Sequence, residues 1–218
     1  MKTIMVTGCA GFIGGHVTER LLSDGYDILG VDCLTYAGNM DLMDRLQNSH
    51  KSHFTFDQKR IGELSSSELE HVDLVVNLAA ETHVDNSIKS SDPFVQTNIV
   101  ETHHLLEKCR ESNTPILHFS TDEVYGVVLD GSFCETDPLK PKNPYSATKA
   151  AIDHLITSYQ NTYGLQSTII RPSNNFGPRQ NDEKFIPTIT RSIRNQNKIP
   201  VYGEGQQVRE WTYVKHTA

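Results

Sequence analysis

A glycine-rich turn between a short apolar run and a helical pattern is the feature that most restricts how this chain can fold. Residues 2–7 form a β-rich run, and Gly8, Gly11 and Gly14 follow at once. Apolar residues then recur at helical spacing up to a Ser-Asp-Gly sequence at 23–25, which predicts the end of a helix. This order predicts a turn whose backbone approaches a phosphate at the N-terminus of a helix. An ordinary strand-to-helix turn can also contain glycines, so the pattern alone is weak.

A carboxylate at the end of the next predicted strand strengthens the nucleotide interpretation. Residues 27–31 are β-rich, and Asp32 follows them about twenty residues after the glycines. An acid at this point can accept hydrogen bonds from the ribose hydroxyls of an adenosine, and it repels a 2′-phosphate. The sequence therefore predicts NAD, rather than NADP, as the cofactor.

Predicted strands alternate with predicted helices over most of the chain. Further strands are expected at 53–56, 72–78, 115–119 and 166–170, and helices at 40–46, 92–110 and 145–163. The second of these helices is expected to have Asp92 as its N-cap and Pro93 at its first position. Alternation of this kind predicts an α/β fold with a doubly wound parallel sheet of the Rossmann type.

The alternation stops at Arg171, after which four prolines interrupt the sequence. We therefore expect residues 1–171 to form a cofactor-binding domain that also carries the catalytic residues. Residues 172–218 are expected to begin a smaller substrate-binding lobe that is truncated, because the chain stops where a new element is expected to start.

Composition excludes several classes of protein. A net charge of −7 over 218 residues argues against nucleic-acid binding, which normally requires a basic surface. No apolar run is long enough to span a membrane, and the N-terminus does not resemble a signal peptide. The four cysteines contain no CxxC pair, which predicts free thiols in a cytoplasmic protein. The ten histidines show no metal-site spacing, so we expect no metal.

Hydroxyl and carboxyl side chains follow the predicted strand at 115–119. Thr121, Asp122 and Glu123 lie just past its carboxyl end, which is where open α/β sheets bind ligands. Tyr145 and Lys149 are four residues apart and share one face of the next predicted helix. We predict that these five residues form the catalytic centre. Two alternatives remain open for them individually: a turn with solvated acids, and a chance Tyr-x-x-x-Lys pattern.

Taken together, these motifs resemble a known family. The glycine turn and the Tyr145-x-x-x-Lys149 pair resemble the extended short-chain dehydrogenase/reductase superfamily. Within it, five stretches are similar to the dTDP-glucose 4,6-dehydratases: LTYAGN (34–39), AAETHVD (79–85), STDEVYG (120–126), RPSNNFGP (171–178) and QQVREW (206–211). The Thr-Asp-Glu triplet at 121–123 is the most specific of them.

The resemblance implies a hydro-lyase that converts dTDP-glucose to dTDP-4-keto-6-deoxyglucose, a step of deoxysugar biosynthesis. Tyr145 is expected to take the C4 hydroxyl proton, with Lys149 lowering the pKa of the phenol, while Thr121 binds the C4 oxygen. Glu123 is expected to remove the C5 proton and Asp122 to protonate the leaving C6 hydroxyl. Hydride passes from C4 to NAD and returns to C6.

The resemblance also implies two sets of binding residues and a homodimer built on the helices that start near 92 and 145. The substrate is expected to contact Thr82, Thr121, Asn174, Lys184 and Arg209. For NAD, the turn, strand-end and helix residues expected to bind are Gly8, Gly11, Phe12, Ile13, Gly14, Asp32, Cys33, Leu34, Thr35, Asp57, Gln58, Leu78, Ala79, Ala80, Thr97, Tyr145, Lys149 and Asn175.

Three alternative functions stay open at this point. The chain could act on UDP-glucose instead of the thymidine nucleotide, since the sequence does not distinguish the two bases. It could be another NAD-dependent nucleotide-sugar epimerase or decarboxylase, which shares the oxidation at C4 but needs no acid–base pair at C5 and C6. It could also be a non-catalytic NAD-binding fragment.

Overall fold

A six-stranded parallel sheet forms the centre of the molecule. The computed structural model describes residues 2–128, 130–201 and 203–218, so that Met1, Leu129 and Tyr202 lie outside the described residues. The strands are β1 Thr3–Thr7, β2 Asp27–Asp32, β3 Phe54–Gln58, β4 Leu74–Asn77, β5 Ile116–Phe119 and β6 Ser167–Ile170. They follow the order β3-β2-β1-β4-β5-β6 and all pair in parallel. This confirms the predicted doubly wound parallel sheet, in which the direction of successive connections reverses between β1 and β4.

Helices cover both faces of this sheet. Neighbouring residues of β1 show how the two layers form, because side chains alternate between the faces of a strand. Met5 packs with residues of the helices on one face, among them Leu105 and Ile152, whereas Val6 packs with Val17 and others on the opposite face. The helices are α1 Phe12–Ser23, α2 Met40–Ser49, α3 Val84–Lys89, α4 Asp92–Phe94, α5 Thr102–Ser112 and α6 Pro144–Tyr163.

The boundaries of α6 follow from its end residues. The Asn143 side chain accepts a 2.8 Å hydrogen bond from the backbone N–H of Ser146, and Pro144 occupies the first helical position. Gly164 ends the helix with a left-handed backbone at φ +71°. These caps fix the register of the helix and therefore the positions of its inward-facing side chains.

The long helix expected at 92–110 differs from the prediction. Asp92 is already helical, and Ser91 takes the N-cap position without a side-chain hydrogen bond, so the predicted cap at Asp92 is wrong. The backbone of Ser91 is itself close to helical, with φ −86° and ψ −16°, which moves the start by one residue. A π-helix at Val95–Glu101 then separates α4 from α5.

The chain after Arg171 forms a small second sheet and two further helices. In it, β7 (Asn174–Phe176) pairs in parallel with β8 (Trp211–Tyr213). The helices are α7 Phe185–Arg194 and α8 Val214–Thr217. All four cysteines are free thiols. Within the described ranges, no helix has the length and apolar character needed to cross a membrane.

Candidate active site

A cleft of about 690 Å³ runs along the carboxyl ends of the strands. Its walls come from the turn after β1, the ends of β2 and β4, the segment after β5, the start of α6 and the chain after β6. The strand order reverses at this edge, so adjacent connections diverge and leave a crevice. The fold therefore places the cleft where the sequence predicted a ligand.

The turn after β1 forms the floor of the cleft and requires glycine at two positions. Gly8 has φ +68°, and a Cβ there would lie 2.7 Å from the backbone N of Ala79. A Cβ on Gly14 would lie 2.0 Å from the Gly8 carbonyl oxygen. The first backbone N–H groups of α1 lack intrahelical partners and carry the positive end of the helix dipole. This turn, from Gly8 to Gly14 and here called the glycine cradle, therefore fits the pyrophosphate of a dinucleotide.

Asp32 lies beside this turn at the end of β2. Its carboxylate accepts hydrogen bonds from the backbone N–H groups of Ala10 at 3.0 Å and Leu34 at 2.8 Å. Burial raises the pKa of this carboxyl, and the two backbone bonds act in the opposite direction. The two backbone hydrogen bonds hold the carboxylate in place at the cleft, where it can accept a hydrogen bond from a ribose hydroxyl.

Most residues predicted to bind the cofactor line the cleft, and three do not. Leu34, Asp57 and Gln58 lie outside its lining. The Asp57 carboxylate instead pairs with Lys59 Nζ at 2.7 Å. The lining residues are Gly8, Gly11, Phe12, Ile13, Gly14, Asp32, Cys33, Thr35, Leu78, Ala79, Ala80, Thr97, Tyr145, Lys149 and Asn175.

Arg60 is a cleft residue that the sequence did not single out. Its Nε donates to Glu101 at 2.7 Å and its Nη2 to Thr97 at 3.0 Å, so the guanidinium is fixed in the wall. It lies two residues after the end of β3, close to Asp57, which was expected to bind the cofactor. The sequence pattern gave the right stretch but could not give its partners, which come from the π-helix.

Thr121 begins a short 3₁₀ helix at Asp122–Tyr125. Its hydroxyl accepts from the backbone N–H of Glu123 at 3.3 Å and donates to Asp122 Oδ1 at 3.3 Å. Burial raises the pKa of Asp122. Glu123 lines the cleft and accepts a 3.0 Å hydrogen bond from Asn143 Nδ2, whereas the half-buried Asp122 is not among the lining residues. The neighbouring carboxyls therefore have different environments.

Tyr145 and Lys149 line the same cleft from α6 and are both buried. Lys149 Nζ donates to the Phe119 carbonyl at 2.6 Å. Burial lowers the pKa of this lysine to about 8, against the attraction of Asp153. For Tyr145, burial raises the pKa and the nearby Glu123 adds to the rise, although a hydrogen bond with the Thr121 hydroxyl lowers it. The net effect of the protein's own groups is thus to raise the pKa of Tyr145, opposite to the lowering expected from Lys149.

Of the residues predicted to bind substrate, Thr82, Thr121, Asn174 and Lys184 line the cleft. Arg209 does not: it is exposed, and its Nη1 donates to the Val208 carbonyl at 2.8 Å. Its charge still lowers the pKa of Asp122, so it lies on that side of the site.

The segment after β6 closes one side of the cleft over α1 and the loop before α2. His16 Nε2 lies 3.0 Å from the Pro178 carbonyl, and the Tyr36 hydroxyl donates to Glu183 at 3.0 Å. Neither contact was anticipated, because each joins residues more than a hundred positions apart.

Three buried oxygens in the lining have no hydrogen-bond partner within the described part of the chain. They are Ser120 Oγ, Asn175 Oδ1 and Gln180 Oε1. Buried polar atoms are normally paired, so unpaired ones in a cleft fit a polar ligand. Among all the residues that the structure describes, no cluster of three or more metal-ligating side chains occurs.

Comparison with known proteins agrees with this geometry. A family model described as GDP-mannose 4,6-dehydratase matches residues 5–218. The chain belongs to this family.

Two relatives match nearly the whole chain. The low-salt glycan biosynthesis protein Agl12 of Haloferax volcanii is 45% identical over 97% of this chain and 69% of its own length. The dTDP-glucose 4,6-dehydratase of Xanthomonas campestris is 42% identical over 98% of this chain and 65% of its own length. The resemblance predicted from the sequence is confirmed, and the chain spans about two thirds of these relatives.

A solved member of the family has the same architecture. The dTDP-glucose 4,6-dehydratase of Streptomyces venezuelae, crystallised with NAD, superposes with a TM-score of 0.94 at 38% identity. The match covers 99% of this chain and 69% of that chain. The fold is therefore shared along nearly the whole chain.

Proposed function

We propose that this chain is a nucleotide-sugar 4,6-dehydratase, a hydro-lyase that uses NAD and acts on dTDP-glucose. The observation that carries the proposal is that Thr121, Glu123, Tyr145 and Lys149 line the same cleft, with Asp122 between the first two in the chain. The glycine turn and Asp32, which fit a dinucleotide, line this cleft as well. Named 4,6-dehydratases at about 40% identity support the same activity.

The glycine cradle and Asp32 are the part of the cleft that would hold NAD. NAD, when bound, supplies the hydride acceptor for oxidation at C4 and the hydride donor for reduction at C6. Among the chain's own groups, Tyr145 receives the C4 hydroxyl proton and Thr121 orients that oxygen. Because burial opposes the phenolate, positive charge in the cleft is needed to bring it within reach of neutral pH. Lys149 lies one helical turn away and is held by its hydrogen bond to the Phe119 carbonyl, and it supplies such a charge below about pH 8.

The elimination needs one proton acceptor and one proton donor at neighbouring carbons. Oxidation of C4 to a ketone makes the C5 proton removable, and Glu123 takes it. Asp122 gives its proton to the C6 hydroxyl, which leaves as water and produces the C5–C6 double bond. When C6 is reduced, Glu123 returns the proton to C5. Burial raises the pKa of Asp122, which suits a group that must hold a proton before it donates.

Product analysis tests the proposal against its rivals. The chain, loaded with NAD, is incubated with dTDP-glucose, UDP-glucose, GDP-mannose and UDP-glucuronate, and the products are analysed by mass spectrometry. Loss of one water from dTDP-glucose is the expected result. If only UDP-glucose loses water, UDP-glucose is the substrate instead. An isomer of unchanged mass indicates an epimerase, and loss of carbon dioxide indicates a decarboxylase. NAD binding without any product supports the non-catalytic fragment.

Three further statements belong to the same proposal. Residues 1–171 form the NAD-binding domain with the catalytic residues, and residues 172–218 form part of the substrate lobe. Two copies associate through α4, α5 and α6, an arrangement suggested by the resemblance and tested by sedimentation equilibrium. The free thiols favour a reducing compartment such as the cytoplasm, which fractionation of the source cells tests.

A further inference from the structure

Three buried polar side chains form a hydrogen-bonded row across neighbouring strands, here called the polar ladder. Thr7 of β1, Asn77 of β4 and His118 of β5 occupy paired positions, with Thr7 opposite Asn77 and Asn77 opposite His118. Thr7 Oγ1 lies 2.6 Å from Asn77 Oδ1, and Asn77 Nδ2 lies 2.9 Å from His118 Nδ1. None of the three is more than 1% exposed.

The polar ladder ends on the proposed catalytic lysine. His118 Nε2 lies 3.1 Å from Lys149 Nζ, which also donates to the Phe119 carbonyl at 2.6 Å. An ammonium has three N–H donors. When Lys149 is charged, the imidazole and the carbonyl take two of them on the protein side, which leaves the third for a group in the cleft that Lys149 lines.

The sheet does not need a polar ladder for its own packing. Burying a polar group costs the free energy of its hydration, and hydrogen bonds within the protein only compensate for that loss. Apolar side chains at these positions would pack without this desolvation cost. The neighbouring Val76 of β4 is an apolar example. The far end of the ladder is closed as well, because Thr7 Oγ1 accepts from the Ala79 N–H at 3.3 Å. The ladder therefore has no outlet to solvent and is not a proton wire.

His118 can hold the lysine in either charge state. Burial, and secondarily the charge of Lys149, lower the pKa of His118 well below its usual range, so the ring stays neutral with one N–H and one bare nitrogen. A charged Lys149 only donates, so Nε2 must be bare and Nδ1 must carry the proton. A neutral Lys149 can accept, so Nε2 can carry the proton instead.

The Asn77 carboxamide adapts to both arrangements. As placed in the structure, its Nδ2 faces His118 Nδ1 and its Oδ1 faces the Thr7 hydroxyl, which matches the neutral lysine. A half-turn of the carboxamide presents Oδ1 to His118 and Nδ2 to Thr7, which matches the charged lysine. Each arrangement pairs donors with acceptors along the links from Lys149 to Thr7.

We propose that Thr7, Asn77 and His118 are positioning residues that keep Lys149 Nζ in place in both of its charge states, through a switch in the tautomer of His118. The catalytic importance of Lys149 rests on the proposed function, but the tautomer switch does not. Thr7, Asn77 and His118 do not themselves line the cleft, and the ladder meets its lining at Lys149 and at the Ala79 backbone.

The ionisable groups around Lys149 are few. His118 approaches it from β5, and Asp153 and Tyr145 lie one turn away on α6. Asp153 favours the ammonium but is itself paired with Arg171 at 2.8 Å. Burial outweighs this attraction, so the lysine changes charge near pH 8, where the proposed switch must occur.

Nitrogen NMR of the NAD-loaded protein tests the switch directly, because protonated and bare imidazole nitrogens have distinct ¹⁵N shifts. Histidine is ¹⁵N-labelled, and the His118 signals are identified by their loss in His118→Gln. We expect the proton to move from Nδ1 to Nε2 as pH rises through about 8, and Lys149→Met to abolish this change. One tautomer throughout that range, or the same transition in Lys149→Met, overturns the proposal. No substrate is needed.

Kinetics test the positioning role. His118→Phe removes the partner of Lys149, and we expect kcat for nucleotide-sugar dehydration to fall at least about tenfold, with its alkaline limb displaced by about one pH unit. His118→Gln, whose amide can donate or accept, should restore much of the rate. Ile116→Ala, a core change on the same strand, should lower the melting temperature but leave the pH profile in place.

The two proposals fail in different ways. If the wild type converts no nucleotide sugar, the proposed function is wrong, while the tautomer measurement still decides the ladder. If His118→Phe retains the wild-type pH profile, the ladder does not position Lys149. If His118→Phe does not fold, the tautomer experiment on the wild type, with Lys149→Met as its control, remains decisive.

Discussion

Glu123 and Asn143 are joined by a 3.0 Å hydrogen bond that connects the segment after β5 to the N-cap of α6. The same Asn143 carboxamide accepts from the Ser146 N–H at 2.8 Å through its oxygen. One side chain thus caps the helix that carries Tyr145 and Lys149 and also orients the proposed proton acceptor. Capping and catalysis can be separated at this position because the oxygen serves one role and the nitrogen the other.

Asn143→Asp should damage the chemistry and spare the fold. Aspartate still caps a helix well, so the free energy of unfolding should change by less than about 0.5 kcal/mol. Its second oxygen, however, faces Glu123 in place of a donor, and repulsion between the carboxylates raises the pKa of one of them. We expect removal of the C5 proton to slow about tenfold or more at neutral pH, measured by deuterium incorporation at C5 from heavy water.

Asn143→Ala is the matched control for capping. It should lose about 1 kcal/mol of stability in urea unfolding, and it leaves Glu123 without a donor but also without a repelling charge. Slower exchange in the aspartate variant than in the alanine variant is therefore expected. Equal rates in the two variants would contradict the role assigned to the nitrogen.

Glu123→Gln and Asp122→Asn should interrupt the reaction at different points. The glutamine variant cannot take the C5 proton, so we expect a loss of about 10²–10⁴-fold in dehydration. Oxidation at C4 should survive, seen as partial reduction of bound NAD by absorbance. The asparagine variant should also stop water loss but should still exchange the C5 proton with solvent. Loss of C5 exchange in Asp122→Asn, or its survival in Glu123→Gln, would reverse the two assignments.

The sequence predicted the frame of this site better than its connections. The doubly wound parallel sheet, the glycine turn and the position of Asp32 at a strand end were predictable, because they depend on local patterns and on the alternation of strands and helices. Partnerships such as Arg60 with Glu101 depend on which side chains meet after packing, and one sequence does not contain that information. Asn77 and His118 were detectable in part, since each is a polar residue inside an apolar strand, but their pairing follows from the strand register.

Lys149 should make stability depend on pH in the alkaline range. Its pKa is about 8 in the folded protein against an ordinary value of 10.5, so between these values the unfolded chain binds the proton and the folded chain does not. Stability due to this group must then rise with pH across that window. Below about pH 8 the lysine is charged in both states, and the cost of burying the charge is fully present.

The comparison with Lys149→Met isolates this contribution. Urea midpoints of wild type and variant are measured at about pH 7 and about pH 10. We expect the wild type to gain stability relative to the variant between the two values. A constant difference would mean that the buried lysine keeps an ordinary pKa.

Gly14→Ala should weaken NAD binding because the cradle has no room for a methyl group. The new Cβ would lie 2.0 Å from the Gly8 carbonyl oxygen, which is backbone and cannot rotate away. The start of α1 must therefore move off the turn, at a cost of about 1–3 kcal/mol. The displaced helix N-terminus also loses its alignment with the pyrophosphate, so calorimetry should show NAD affinity reduced at least about tenfold.

Gly164→Ala controls for the loss of stability. It strains the left-handed C-cap of α6 at φ +71°, where a Cβ would meet no atom within 4 Å. This change should destabilise by about 1 kcal/mol without narrowing the cleft, so NAD affinity should stay near that of the wild type. Affinity that falls equally in both variants would trace the defect to general destabilisation, whereas a defect confined to Gly14→Ala locates the pyrophosphate at the glycine turn.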